Sequence, residues 1–257
     1  MTMRLADWMP GGPAGRLLVG AQAVELAPAR AEQRRLAPSA RAPLASLDAE
    51  AVRAAIGRLL AQHRAPAYDV IVEAGLAHLW LLPFHRSLTG EARWRNYAQA
   101  RFEQAFGDSQ AWEIRVAAAC PPHDRLAVAV PVSLMTGLRH ALGRSLRRVR
   151  IDAIERLNAL LRTESRLTGA AIDVGECCAW LFLFRGGVLN RVRRRQFIDA
   201  PVPDLAASIA AGLRSEWSVI AEDTLPDLRL AWGRADPRDL CDRLRAALPA
   251  AQAFSYG

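Results

Sequence analysis

The clearest alternation of apolar and polar positions runs through the middle of the chain. Asp69-Val-Ile-Val-Glu73 and His78-Leu-Trp-Leu-Leu-Pro-Phe84 predict two strands joined around Gly75, the second stopped by Pro83, which cannot donate to a sheet ladder. Trp94, Ala98, Phe102 and Phe106 then recur at helical spacing. They predict an amphipathic helix capped by Thr89 and closed by Gly107. Trp112–Ala119 and Leu126–Val130 follow as strands, and Ser133 caps a helix through Leu134, Met135, Leu138 and Leu142.

Upstream, Arg16 to Leu26 reads as a strand pair turning near Gly20, and Pro28 to Pro43 as a linker or surface loop. Asp48 caps a helix whose stripe is Val52, Ile56, Leu59 and Leu60. Residues 1–15, with Pro10, Gly11, Gly12 and Pro13, read as a disordered tail. Downstream, Val149–Ala153 is followed by a helix through Ile154, Leu157, Leu160 and Leu161. Ala170–Gly175 and Ala179–Phe184 predict strands, and Gly186-Gly187 a tight hairpin into Val188–Arg194. The chain closes with a helix through Leu205, Ile209, Leu213 and Trp217, a strand Leu228–Trp232, and a helix started by Asp236-Pro237. Glu73/Asp173, Gly75/Gly175, Trp80/Trp180, Leu81/Leu181 and Phe84/Phe184 share one offset, which suggests either a duplicated strand-turn-strand unit or chance between two apolar segments.

With 257 residues, 51% of them hydrophobic, the chain can bury a sizeable core in one large domain or two lobes. The longest apolar run, Cys177–Phe184, is far short of the roughly 20 residues of a membrane span. Met1–Pro13 lacks the apolar segment of a secretory signal, so a cytoplasmic place is expected. Cys120, Cys177, Cys178 and Cys241 show no metal or redox spacing and read as small buried hydrophobes. The net charge is +8, and all 34 basic residues are Arg. A GC-rich coding bias produces that pattern, which discounts the charge as a sign of nucleic-acid binding.

The candidate chemistry is sparse. Without Lys there is no P-loop, and His63, His78, His85, His123 and His140 show no metal-ligand spacing and read as surface or loop residues. No base neighbours Cys177 or Cys178 to activate a thiolate. Asp173 and Glu176 flank Gly175, where carboxylates more often cap local amides than hold a metal. Arg191, Arg193 and Arg195 share a strand face that could present guanidiniums to phosphates, and Arg144, Arg147, Arg148 and Arg150 form a second cluster. No aromatic residue interleaves with the first set, which weighs against single-strand binding and leaves an acidic partner or a lipid headgroup as an equal alternative.

Three segments carry a resemblance: Val70–Phe84, Trp94–Gly107 and Leu126–Met135. Their order, an aromatic strand ending in Leu-Pro-Phe, a helix with a Phe-Glu-Gln core, and an Ala-Val strand feeding a helix, resembles PilM-like and GspL-like proteins of type IV pilus and type II secretion assembly. Ile172-Asp-Val-Gly175 and the Gly186-Gly187 hairpin are similar to the second-lobe strands of the same proteins. The resemblance implies an α/β, actin-like fold with two ribonuclease-H-like lobes, in degenerate form. It implies a first lobe over 16–147 with an inserted α/β module, and a second over 148–257. It also implies a place at the inner face of the membrane and a protein partner: the cytoplasmic tail of a membrane-anchored assembly protein, or an assembly ATPase. Self-association into a homo-oligomer stays open, and the partner-binding residues are not identified. No membrane segment follows the last helix, so the free-standing PilM type is the nearer match.

Actin-like nucleotide sites use two glycine-containing hairpins, each opened by an Asp, whose amides cradle phosphate while the carboxylates position metal and water. Only Asp173 and Gly175 fit that pattern, and Leu18-Val-Gly-Ala21 has no Asp. The resemblance therefore implies a vestigial phosphate hairpin at Asp173 and Gly175, no catalytic residue, no metal and no cofactor. Two rivals remain: an ATPase of the same fold, in which Asp173 and a first-lobe carboxylate share a metal, and an Arg-rich nucleic-acid-binding module.

Overall fold

The protein is seen in a computed structural model that describes residues 14–27, 40–118, 122–163, 167–175, 178–197, 202–220, 227–232, 237–248 and 254–256. In chain order the elements are β1 (Gly15–Val19), β2 (Ala23–Ala27), β3 (Ala40–Pro43), α1 (Ala49–Gln62), β4 (Tyr68–Val72), β5 (His78–Leu82), α2 (Glu91–Phe106), β6 (Trp112–Val116), β7 (Arg125–Pro131) and α3 (Val132–Leu142). They continue with β8 (Leu146–Ile151), α4 (Asp152–Thr163), β9 (Gly169–Val174), β10 (Cys178–Arg185), β11 (Val188–Gln196), α5 (Val202–Ile220), β12 (Asp227–Trp232), α6 (Pro237–Ala247) and β13 (Phe254–Tyr256). The chain divides into two compact units, Met1–Glu73 with Val132–Arg150, and Ala74–Pro131 with Ile151–Gly257. All but the last two residues of the expected tail lie outside the described residues.

The first unit is a five-stranded sheet in the order β3-β2-β1-β4-β8. β1 is antiparallel to β2 and parallel to β4, which sets Leu17 and Val19 beside Leu26, Val24, Val70 and Val72 on one apolar face. All six are buried. Asp48 starts α1 as expected, accepting the Ala51 N–H at 2.8 Å. Val52, Ile56 and Leu59 of α1 and Leu134, Leu138 and Leu142 of α3 are also buried, each contributing roughly 1.5–3 kcal/mol by leaving water. The two helices meet closely at Gly137, where a Cβ would lie 2.7 Å from the Ala49 carbonyl oxygen and 2.7 Å from the Val52 Cβ.

The second unit holds another five-stranded sheet, β11-β10-β9-β12-β13, and a three-stranded one, β5-β7-β6. Counted within its own sheet, each five-stranded sheet runs third, second, first, fourth, fifth, with an antiparallel hairpin opening it and the fourth strand parallel to the first. Gly186 and Gly187 make the β10–β11 turn with φ of 57° and 80°, a left-handed pair that glycine adopts without strain. One face of this sheet, with Ile172, Leu181 and Leu183, packs with Leu205, Ile209 and Leu213 of α5 and Leu240 and Leu244 of α6. The Trp217 side chain lies outside the described residues. In the three-stranded module, α2 buries Trp94, Ala98 and Phe102 against Leu82, Ile114 and Ala127.

Several sequence expectations change. The strands flanking Gly75 do not pair: β4 and β5 belong to different sheets, separated by a 3₁₀ turn at Ala74–Leu76. The apparent duplication around them therefore aligns unlike elements. The repeat that exists pairs β1 with β9 and β4 with β12. α2 starts from Gly90, at φ 81°, with no side-chain cap, so Thr89 does not cap it. α3 begins at Val132 directly from β7, which places Ser133 inside the helix. The end of the expected Pro28–Pro43 loop is strand β3, and 28–39 lie outside the described residues. Phe106, the last residue of the α2 stripe, is 49% exposed.

Gly137→Ala is expected to destabilise the protein by about 1–3 kcal/mol, because the added methyl meets a backbone carbonyl and a side chain that cannot swing away. Denaturant unfolding checks this; an unchanged midpoint would show that the helices separate freely.

Candidate functional site

Strand alternation sends Ile172 and Val174 to the face under α5 and α6, and Asp173 to the opposite face. There it is the register partner of Trp180 on β10. Asp173 is 2% exposed. A charge that deep requires a partner, and α4 supplies it. Arg156 grips Asp173 with two parallel hydrogen bonds, Nε donating to Oδ1 and Nη2 donating to Oδ2 at 2.9 Å. The same guanidinium reaches Asp152 Oδ2 at 2.9 Å, one helical turn back. Asp152 completes its coordination by accepting the Ala153 N–H at 2.6 Å and the Ala74 N–H at 2.7 Å.

The electrostatics follow from this geometry. Burial works against the Arg156 charge, yet hydrogen bonding and attraction from Asp173, reinforced by Asp152, hold its protonation above the ordinary arginine range. Burial pushes the Asp173 carboxyl upward, and Arg156 pulls against it. The network continues into the Ala74–Leu76 turn, where Trp180 Nε1 donates to the Ala74 carbonyl at 3.2 Å and Arg194 Nη2 to the Gly75 carbonyl at 2.9 Å.

The two glycine hairpins share one backbone pattern. Gly20 N–H donates to the Ala23 carbonyl and Gly175 N–H to the Cys178 carbonyl, both at 2.9 Å. Matching the glycines matches Val19 with Val174 and Leu18 with Asp173. The first hairpin thus carries an apolar side chain where the second carries its carboxylate. A different carboxylate stands beside Gly20, however: Glu73, at the end of β4, whose Oε2 lies 3.0 Å from where a Gly20 Cβ would be. Strand alternation within 18–21 could not reveal it, because it arrives from another strand. Glu176, Cys177 and Cys120 lie outside the described residues. Among the described residues no group of three His, Cys, Asp or Glu side chains could hold a metal ion.

The guanidinium row on β11 does share a face, but it is turned onto α5. Glu216 accepts from Arg193 Nε at 2.9 Å and faces Arg191 Nη1 at 3.4 Å. Arg195 lies over Gly212, where a Cβ would come within 2.6 Å of its Nε. His78, expected at the surface, is half-buried among Phe102, Phe106 and Trp112, with ring centroids 4.4–5.6 Å away. Burial, with the charge of Arg194, lowers its pKa. A concavity of about 340 Å³ opens between α2 and β6, lined by Arg95, Gln99, Ser109, Trp112, Glu113 and Arg115 among others.

No family model matches the chain, and no curated protein matches it. Solved structures do. A PilM–PilN type IV pilus biogenesis complex matches at TM-score 0.63 and 16% identity, over 96% of this chain and 89% of that one. A Bacteroides thetaiotaomicron protein with an actin-like ATPase fold and unknown function matches at TM-score 0.62 and 11% identity, over 95% and 90%. The chain has the actin-like fold.

Arg156→Ala is expected to cost about 3–5 kcal/mol, because two buried carboxylates lose their cation. Combining it with Asp173→Ala should recover part of that loss, and a double-mutant cycle showing no coupling would contradict the pairing. For His78, the lowered folded pKa means that its neutral form favours folding. Stability should be full above about pH 6.5 and fall as the unfolded chain takes up the proton below it. Melting between about pH 7.5 and pH 5 should be flatter in His78→Phe than in the parent; identical slopes would count against it.

Proposed function

We propose that this chain is a non-catalytic scaffold in a type IV pilus or type II secretion-like assembly platform, acting at the cytoplasmic face of the inner membrane. In this reading it docks the cytoplasmic tail of a membrane-anchored protein, and an assembly ATPase is a further candidate partner. The observation that carries the reading is the Arg156 clamp on Asp173. A carboxylate that positions metal and water for phosphoryl transfer must be free to turn toward them. Asp173 instead has both oxygens committed to a guanidinium in a buried site, and Leu18 occupies the matching position of the other hairpin. The similarity to the PilM–PilN complex supports the choice of partner class. None of the described helices is long and apolar enough to cross a membrane, consistent with recruitment by a partner that does.

The rival, a weakly active ATPase, draws on Glu73 beside Gly20. It would need Arg156 to release Asp173 during turnover.

The expected outcome is that fluorescently labelled peptides, taken from the cytoplasmic tails of single-pass membrane proteins encoded beside this chain, include one that binds in fluorescence anisotropy. Its affinity should be unchanged by Mg-ATP, and phosphate release should stay at the buffer rate. Phosphate release abolished by Glu73→Gln in a folded variant would establish the rival instead.

A further inference from the structure

The two arginine clusters have different fates in the fold. Those of β11 are spent internally, on Glu216, on the Gly75 carbonyl and against Gly212. The other lies in the first unit, where residues 132–150 contain Arg139, Arg144, Arg147, Arg148, Arg150 and His140, and no Asp or Glu. Five positive charges of a chain whose net charge is +8 are thus gathered in one short segment.

These residues fall on three consecutive elements of the first unit. Arg139 and His140 end α3, Arg144 stands in the 3₁₀ turn Gly143–Ser145, and Arg147, Arg148 and Arg150 lie on β8. β8 is an edge strand of its sheet. Arg147 Nε donates to Asp69 Oδ1 at 2.8 Å. The charges of Arg150 and Arg148 act on the same carboxylate. Arg144 and Arg148 are exposed. Protection of a sheet edge by charge accounts for arginines on β8 but not for Arg144, which precedes the strand.

We propose that this surface, centred on Arg144 and Arg148, binds an anionic lipid bilayer. A bilayer asks only for clustered charge on an accessible face, about 1 kcal/mol for each arginine near the headgroups. Nucleic acid asks for more. Residues 132–150 contain no Phe, Tyr or Trp on which an unpaired base could stack. α3, the helix of this segment, is packed on α1 at Gly137 and is not free to enter a groove. The inference is independent of the docking of a peptide, since it concerns a different ligand.

Co-sedimentation of the full chain with phosphatidylglycerol/phosphatidylethanolamine vesicles, against phosphatidylcholine vesicles, tests it. The chain should pellet with the anionic vesicles and not the neutral ones, less so as salt is raised. The double variant Arg144→Gln/Arg148→Gln should lose about 30-fold in partitioning. It should keep the parent melting temperature, since both side chains are exposed. Arg93→Gln/Arg101→Gln, also exposed but on α2, should bind as the parent does. No vesicle binding, equal loss in both double variants, or tighter binding of duplex DNA through Arg144 and Arg148 would overturn the proposal.

Discussion

A guanidinium sealed between two carboxylates is the constraint on which the second unit turns. Arg156 satisfies Asp173 and Asp152 together, and Asp152 in turn holds the Ala74 amide. Taking three charges out of water is expensive, and such a cluster persists only when each oxygen and N–H finds a partner. Its cost is offset by geometry: the bidentate grip on Asp173, the one-turn spacing of Asp152 and Arg156 on α4, and the backbone donors of Ala74 and Ala153. The cluster thereby joins β9, α4 and the turn that leads into the three-stranded module. A catalytic reading of Asp173 has to compete with all of these bonds at once.

Much of the architecture was legible because periodicity reports burial directly. The α1 stripe, the Trp94–Phe102 stripe and the doubly buried run Trp180–Phe184 are apolar where the fold hides them. Pairing was not legible in the same way. Asp69–Glu73 and His78–Phe84 look like two arms of a hairpin, yet a parallel partner, β1, takes the first and an antiparallel partner, β7, takes the second. Residue pattern says which face of a strand is apolar but not which strand lies beside it. The coincidences between Glu73–Phe84 and Asp173–Phe184 misled for that reason, while the real repeat, β1 with β9, shares little beyond a Val-Gly pair at the hairpin.

The same limit applied to the site. Asp173 and Gly175 could be picked out as half of a phosphate hairpin from their sequence. Arg156 could not be tied to Asp173, because the two meet only when α4 packs below β9. Glu73 was hidden likewise, its carboxylate reaching Gly20 across a parallel strand pair. Composition was ambiguous in a different sense: an all-Arg chain makes every basic cluster look alike, and only placement separates arginines bonded to Glu216 from the exposed Arg144 and Arg148.

The central claim is that Asp173 is already satisfied from within, so that nucleotide has nothing to complete. Thermal unfolding in the presence of saturating Mg-ATP tests this most directly, since a ligand that binds the native state at a hundred times its Kd adds about 2.7 kcal/mol. The account predicts a melting temperature that is the same with millimolar Mg-ATP as without it. A rise of several degrees, absent with Mg²⁺ alone and lost in Glu73→Gln, would contradict it.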